Sequence, residues 1–337
     1  MITEINESNV IELQLEFQKE FILEEFTKEI VCINAGSKAV AMNFHNRKIH
    51  ILDSETGSVN TIAFGHHSKN FKNEPFDDNQ IGTLFLYKKG FGVLYCDMVF
   101  LFEDPNSNEY KMIPIPAPVA RVMMPGIPKA NNQLIAYYKE DPNELYVLFD
   151  EMQRRNSKSF FAVIKLSETK AEYSFWPKHF KFPNGHIESE SLAGDDRNNN
   201  PILVNFLNYK NQFCIASFGR SYNMSFGKTP NHLYFSSFDD SFNGKEILGE
   251  LKTNFTNCIV SSDLKFLAWE KIEKAKKEVI LFSLETNNFY KINLKSKKNN
   301  LTGFNAKNTV KFNVFNNYYW HSDGTEKVAV YKIKNEI

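Results

Sequence analysis

The stretch KIHILDSETGSVNTIAF, residues 48–64, decides the fold. Two runs rich in β-forming residues flank the segment DSETGS, which is the pattern of a hairpin around a polar turn. Related stretches return as AVIKLSETKAEYSF at 162–175 and VILFSLETNNFYKI at 279–292. Aligned on the pairs Glu55-Thr56, Glu168-Thr169 and Glu285-Thr286, the copies lie 113 and 117 residues apart. Two near-equal intervals imply a repeat with a more diverged copy inside each. VFLFEDPNSNEYKMIPI at 99–115 and LYFSSFDDSFNGKEILGEL at 233–251 fill those places, each with two strand-like runs around a turn rich in Asp, Asn, Ser, Pro or Gly.

Two further strand candidates precede each hairpin. They are EIVCINA and AVAMNF in the first unit, TLFLYK and FGVLYC in the second, and QLIAYYK and LYVLFD in the third. The fourth unit has ILVNFL and QFCIASF, and the fifth NCIVSS and KFLAWEK. Four short strands repeated about every 57 residues is the signature of stacked β-sheets arranged around an axis. The sequence therefore resembles β-propeller repeat proteins over nearly its whole length. The resemblance is architectural: there is no WD dipeptide with its Gly-His and no kelch double glycine. It implies an all-β, six-bladed β-propeller forming one domain over residues 1–337, with seven blades as the alternative because MIPIPAPVARVMM could hold a strand.

Closure of the ring needs a further strand. The C-terminal unit offers only TVKFNVF, NYYWHS and KVAVYKI. In NVIELQLEF, Ile11, Leu13, Leu15 and Phe17 alternate with Glu12, Gln14 and Glu16, a period of two. This N-terminal strand, about 9–17, is expected to pair with the C-terminal blade, about 309–333, as its outer strand. The longer segment ELQLEFQKEFILEEFTKEI also permits an amphipathic helix, and a helical turn within 18–27 is the competing expectation.

Composition narrows the function classes. Forty basic residues balance forty acidic ones, so the basic surplus expected of a nucleic-acid binder is missing. Aromatics make up 14% and Phe alone contributes 31 residues, which favours pleated half-buried surfaces. The apolar window IGTLFLYKKGFGVLYCDMVFLF is broken by Lys88, Lys89 and Asp97 and reads as two strands rather than a membrane span. The N-terminus shows no basic region followed by an apolar run, so a cytoplasmic protein is expected. Cys32, Cys96, Cys214 and Cys258 form no CxxC and sit in apolar runs, as buried free thiols do.

Loops that do not repeat are the places to look for function. GHHSKNFKNEPFDDNQ, residues 65–80, offers His66, His67 and Phe71, without zinc spacing. WPKHFKFPNGHIESESLAGDDRNNNP, residues 176–201, offers Trp176, His179 and Phe180 beside an acidic tail that lacks the spacing of a calcium loop. GRSYNMSFGKTPNH, residues 219–232, offers Arg220 and Tyr222, residue types common in interface anchors. SSFDDSFNGK, residues 236–245, is similar to a degenerate Asp-box turn, a structural element of sialidase-type propellers. No GxSxG, HExxH or local Cys-His signature occurs. These features predict a monomeric, non-catalytic protein-binding scaffold, with an immunity or inhibitor protein as its concrete subtype, and no metal or other cofactor, no nucleic-acid partner and no membrane association. The rival expectation is a hydrolase or lyase acting on a small polar or sugar substrate at the channel mouth.

Overall fold

The computed structural model describes residues 3–6, 9–43, 48–63, 82–95, 98–115, 133–153, 156–167, 170–179, 202–218, 231–241, 243–253, 256–273, 276–293, 311–322 and 325–334. An N-terminal arm supplies β1 (Thr3–Asn6), β2 (Ile11–Glu12) and β3 (Leu15–Ile22). Blade 1 is β4 (Glu29–Ile33), β5 (Lys38–Asn43), β6 (Lys48–Asp53) and β7 (Val59–Ala63). Blade 2 is β8 (Gly82–Tyr87), β9 (Gly90–Tyr95), β10 (Met98–Phe102) and β11 (Lys111–Pro114). Blade 3 is β12 (Gln133–Lys139), β13 (Glu144–Gln153), β14 (Asn156–Leu166) and β15 (Ala171–His179). Blade 4 is β16 (Ile202–Tyr209), β17 (Gln212–Phe218), β18 (Asn231–Phe238) and β19 (Gly244–Thr253). Blade 5 is β20 (Thr256–Val260), β21 (Phe266–Glu273), β22 (Lys276–Ser283) and β23 (Phe289–Asn293), and blade 6 opens with β24 (Lys311–Phe315), β25 (Tyr318–Ser322) and β26 (Lys327–Ile333). Each blade is an antiparallel meander from an inner to an outer strand, and β3 is the fourth strand of blade 6. The chain is a six-bladed β-propeller.

One blade cannot bury both faces of its sheet, so neighbouring blades bury them against each other. Among the described residues the core falls into six apolar clusters, one in each seam between consecutive blades. The seam between blades 6 and 1 holds Phe21, Cys32, Ala41 and Trp320 and completes the ring. Trp320 stacks on Phe21 at 5.8 Å and donates its indole N–H to the Gly36 carbonyl at 2.8 Å. Gly36 has φ +93°, and a Cβ there would run into the Phe315 carbonyl, so no other residue fits this turn without rebuilding it.

The closing strand differs in position from the expectation. It runs from Leu15, paired with Ile333, to Ile22, paired with Lys327. It thus shares only its first residues with the 9–17 segment and continues through residues that also permitted a helix. A bulge supplies the reason. Phe17 pairs with Tyr331 and Lys19 with Val330, which leaves Gln18 as the extra residue. Without it Leu15 and Phe21 would share a face; with it Leu15 packs in the seam between blades 5 and 6 and Phe21 in the seam between blades 6 and 1. One outer strand thereby anchors both seams. Upstream, β2 pairs in parallel with β23, and β1 in parallel with β19, so the arm adds a fifth strand to blades 5 and 4.

The recurring hairpins are scaffold. Asp53 Oδ1 accepts the N–H groups of Glu55 and Thr56, and Ser283 Oγ accepts that of Thr286. Both turns close with matching backbone bonds, Asp53 N–H to Ser58 and Ser283 N–H to Asn288. The blade 3 copy is tighter, with Ser167 and Lys170 bonded directly. Asp104 and Asp239 head the corresponding turns of blades 2 and 4 in the same way. The Asp-box-like segment is therefore a turn former, as its family resemblance implied.

Cys32 and Cys214 are buried free thiols and Cys258 is partly buried. Burial pushes the Cys214 thiol up to about 12, which leaves it unreactive at neutral pH. Cys96 lies outside the described residues.

Candidate functional site

Six inner strands face the axis, and their registers can be compared from the last pair before each inner turn. Those pairs are Ile33–Lys38, Tyr87–Gly90, Lys139–Glu144, Tyr209–Gln212, Val260–Leu267 and Phe315–Tyr318. Four residues upstream stand Glu29, Thr83, Ile135, Asn205, Thr256 and Lys311. Of these six positions, Glu29, Thr83 and Lys311 come together near the starts of their inner strands, through the Thr83–Glu29 bond and the mutual influence of the Glu29 and Lys311 charges. All six but Ile135 are polar residue types.

The charged groups here come from blades 5, 6 and 1, with Thr83 of blade 2 bonded to Glu29. The Thr83 hydroxyl donates to Glu29 Oε1 at 2.9 Å, and Thr83 is buried. Burial pushes the Glu29 carboxyl up to about 7, although the Thr83 hydroxyl, a Leu84 backbone bond and the Lys311 charge all favour its ionised form. Burial likewise pushes the Lys311 ammonium down, opposed by the charges of Glu29 and Glu270. Glu270, buried on β21, is paired across the strands with Thr256 and brings its charge from blade 5. On β25, Tyr319 is fully buried, and its hydroxyl lies 3.1 Å from His321 Nδ1. Burial, then the Glu270 charge, hold that phenol well above its ordinary range.

This arrangement has a definite chemistry. A carboxyl pushed toward neutrality can give or take a proton, and a partly desolvated ammonium within reach of its charge can hold an anion or a developing negative charge. Among the described residues no cluster of three or more His, Cys, Asp or Glu is arranged to hold a metal ion.

The residues expected from sequence to form a partner site fare differently. His66, His67, Phe71, Phe180, Arg220 and Tyr222 lie outside the described residues. Trp176 and His179 do not open a loop, as the sequence reading had it; they belong to β15, where His179 pairs with Phe160. Three β-formers, Tyr173, Phe175 and Trp176, extend the outer strand of blade 3 up to and through the Trp-Pro step. Sequence reasoning passed over Glu29, Thr83 and Lys311 because they stand in strands rather than loops. The available signal was a polar residue heading a buried inner-strand run, as in EIVCI, TLFLY and KFNVF.

No described protein family matches this sequence. No curated protein matches it either. Among solved structures, the β-propeller domain of Cps50 (Swd1) from Myceliophteria thermophila is similar, with a TM-score of 0.48, 7% identity, and coverage of 95% of this chain and 100% of that one. A calcium-binding protein, regucalcin, from Agrobacterium tumefaciens has a TM-score of 0.48 and 8% identity over 100% of this chain and 98% of that one. Oligogalacturonate lyase from Vibrio parahaemolyticus has a TM-score of 0.48 and 8% identity over 96% and 98% of the two chains. At these identities the likeness concerns architecture alone. Among the described residues no helix is long and apolar enough to cross a membrane.

Proposed function

We propose that this protein binds a small polar molecule at the level of Glu29, Thr83 and Lys311, with Glu29 as the group that exchanges a proton with it. The observation that carries this reading is the Glu29 carboxyl, held by Thr83 at 2.9 Å in a seam that desolvates it, within reach of the Lys311 charge. Such a pair suits a propeller hydrolase or lyase, in which one group donates or removes a proton while a cation steadies negative charge. The test is a thermal-shift screen of sugar acids, their lactones and small hydroxy acids, run in parallel on the native protein and on Glu29→Gln and Lys311→Met. A ligand that stabilises the native protein and neither variant supports the site. A ligand that stabilises all three equally refutes it.

A protein-binding scaffold is the second reading, supported by exposed apolar residues on the last blade. Phe17 and Ile22, paired with Tyr331 and Lys327, share one face of blade 6 and are 57% and 70% exposed. Phe26 follows on the connection to blade 1 and is 59% exposed. Together they offer a partner apolar area to bury on one edge of the ring. Under this reading Ile22→Asp with Phe26→Asp abolishes capture of a protein partner, and Glu29→Gln leaves capture intact.

A further inference from the structure

The Glu29–Lys311 pair is built from two inner strands, and a third blade holds those strands together. Between β20 and β21, blade 5 turns through residues 261–265. Ser261 organises this turn: its hydroxyl accepts the N–H groups of Lys265 and Phe266 and donates to Asp263 Oδ1 at 2.5 Å. Leu264 takes a left-handed conformation, φ +60°, with its N–H bonded to the Ser261 carbonyl. Its side chain is buried in the seam between blades 4 and 5. A turn fixed at both ends in this way projects Ser262 rigidly.

Ser262 does not stay within its own blade or contact only the next one. Its Oγ accepts the backbone N–H of Cys32, on β4 of blade 1, at 2.9 Å. The same hydroxyl donates to Asn313 Oδ1, on β24 of blade 6, at 3.0 Å. The Ser262 N–H bonds that oxygen as well, at 3.1 Å. Asn313 completes the circuit by donating its Nδ2 to the Ile30 carbonyl at 2.9 Å. Cys32, Ile30 and Asn313 are all buried, so these bonds are sheltered from competition by water. Ile30 is the residue after Glu29, and Asn313 lies two residues beyond Lys311 on the same strand face.

We infer that Ser262 is a positioning residue for the Glu29–Lys311 pair, setting from blade 5 the separation of the two inner strands that carry it. The inference rests on the ligand-site reading for its purpose but not for its test, which needs no ligand. Removing the hydroxyl takes away both the acceptor for Cys32 and the donor to Asn313. β4 and β24 stay joined by the Asn313–Ile30 bond but lose the hydroxyl that ties both to blade 5, so β4 shifts at Ile30 and admits water beside the neighbouring Glu29. The carboxyl must respond, because its proton affinity is set first by burial.

The experiment follows the Glu29 carboxyl by carbon-detected NMR of glutamate-labelled protein over a pH series, in the native protein and in Ser262→Ala, Ser262→Thr and Glu29→Gln, the last assigning the signal. The Glu29 midpoint, about 7 in the native protein, is expected to fall in Ser262→Ala by roughly one pH unit or more. Ser262→Thr, which keeps the hydroxyl, restores the native midpoint. A Ser262→Ala protein that melts cooperatively and titrates at the native midpoint overturns the inference. Should Ser262→Ala fail to fold, Ser262→Cys, which weakens both bonds without emptying the position, is read by the same criterion. A failed ligand screen combined with a shifted midpoint sinks the proposed function and leaves the positioning role standing.

Discussion

Glu29→Gln should change the pH dependence of stability more than stability itself. The Glu29 carboxyl is raised from 4.5 to about 7 by burial, so the folded state holds its proton more tightly than the unfolded chain does. For a group raised in this direction, the stabilising contribution is fully present below the unfolded value and is lost as pH rises through the folded one. The span from 4.5 to about 7, at roughly 1.4 kcal/mol for each pH unit, amounts to about 3 kcal/mol. Above about pH 7 the seam holds a carboxylate whose desolvation is only partly offset by Thr83 and Lys311. Glutamine keeps the shape and can still accept from Thr83, yet has no proton to lose. Urea denaturation of both proteins at about pH 5 and about pH 8 measures the effect, with equal m-values as the control. The stability of Glu29→Gln relative to the native protein should rise across that interval by about 2–3 kcal/mol. A stability difference that is the same at both pH values refutes the assignment of Glu29 as a desolvated, proton-holding group.

Other expectations follow from the closure and the seams. Removing residues 1–12 strips β1 and β2 from the blade 4 and blade 5 edges and should leave a cooperative thermal transition, whereas removing residues 1–22 takes away β3 and should abolish it; equal melting of the two truncations would contradict ring closure by β3. Trp320→Phe should cost about 1–3 kcal/mol because it leaves the Gly36 carbonyl unpaired, and Trp320→Ala about 3–5 kcal/mol through the added cavity; both are measured by denaturant titration. His50 is buried in blade 1, and burial lowers its proton affinity below the ordinary 6.5, despite the charges of Glu25 and Glu24. Its contribution is therefore full above about pH 6.5 and falls away as the medium is acidified, so the melting temperature of His50→Gln should decline less than that of the native protein between about pH 7 and pH 5.

How much of this was open to reading from sequence depends on which interactions are local. The hairpins were legible because their chemistry lies within six residues: Asp53 caps its own turn, and Ser283 does the same in blade 5. The inner and middle strands were legible because a strand buried on both faces must be written as an apolar run. The closing strand was harder. Ile11 to Phe17 alternate cleanly, yet Ile11 and Phe17 are exposed, and the register that matters is set by a bulge at Gln18, which no periodicity announces. The partner of that strand lies more than 300 residues away, and pairing at such range is decided by which seams remain to be filled, here by Leu15 and Phe21.

The site belongs to the same long-range class, taken further. Glu29, Thr83 and Lys311 have no spacing that a motif could express, since each is placed only by its distance from an inner turn in its own blade. Their chemistry also cannot be read from identity. A glutamate at the head of a strand is ordinarily a solvated carboxylate, and it is burial in the closed ring, with Thr83 reaching across from blade 2, that pushes Glu29 up to about 7. The hydroxyl of Ser262 illustrates the same point from the other side. In sequence it is one of two serines in a polar turn; in the ring it joins blade 5 to blades 6 and 1 through Asn313 and Cys32. Closing a propeller brings the starts of distant strands together, and it is that convergence, rather than any local signature, that buries Glu29 between Thr83 and the Lys311 charge and so raises its proton affinity.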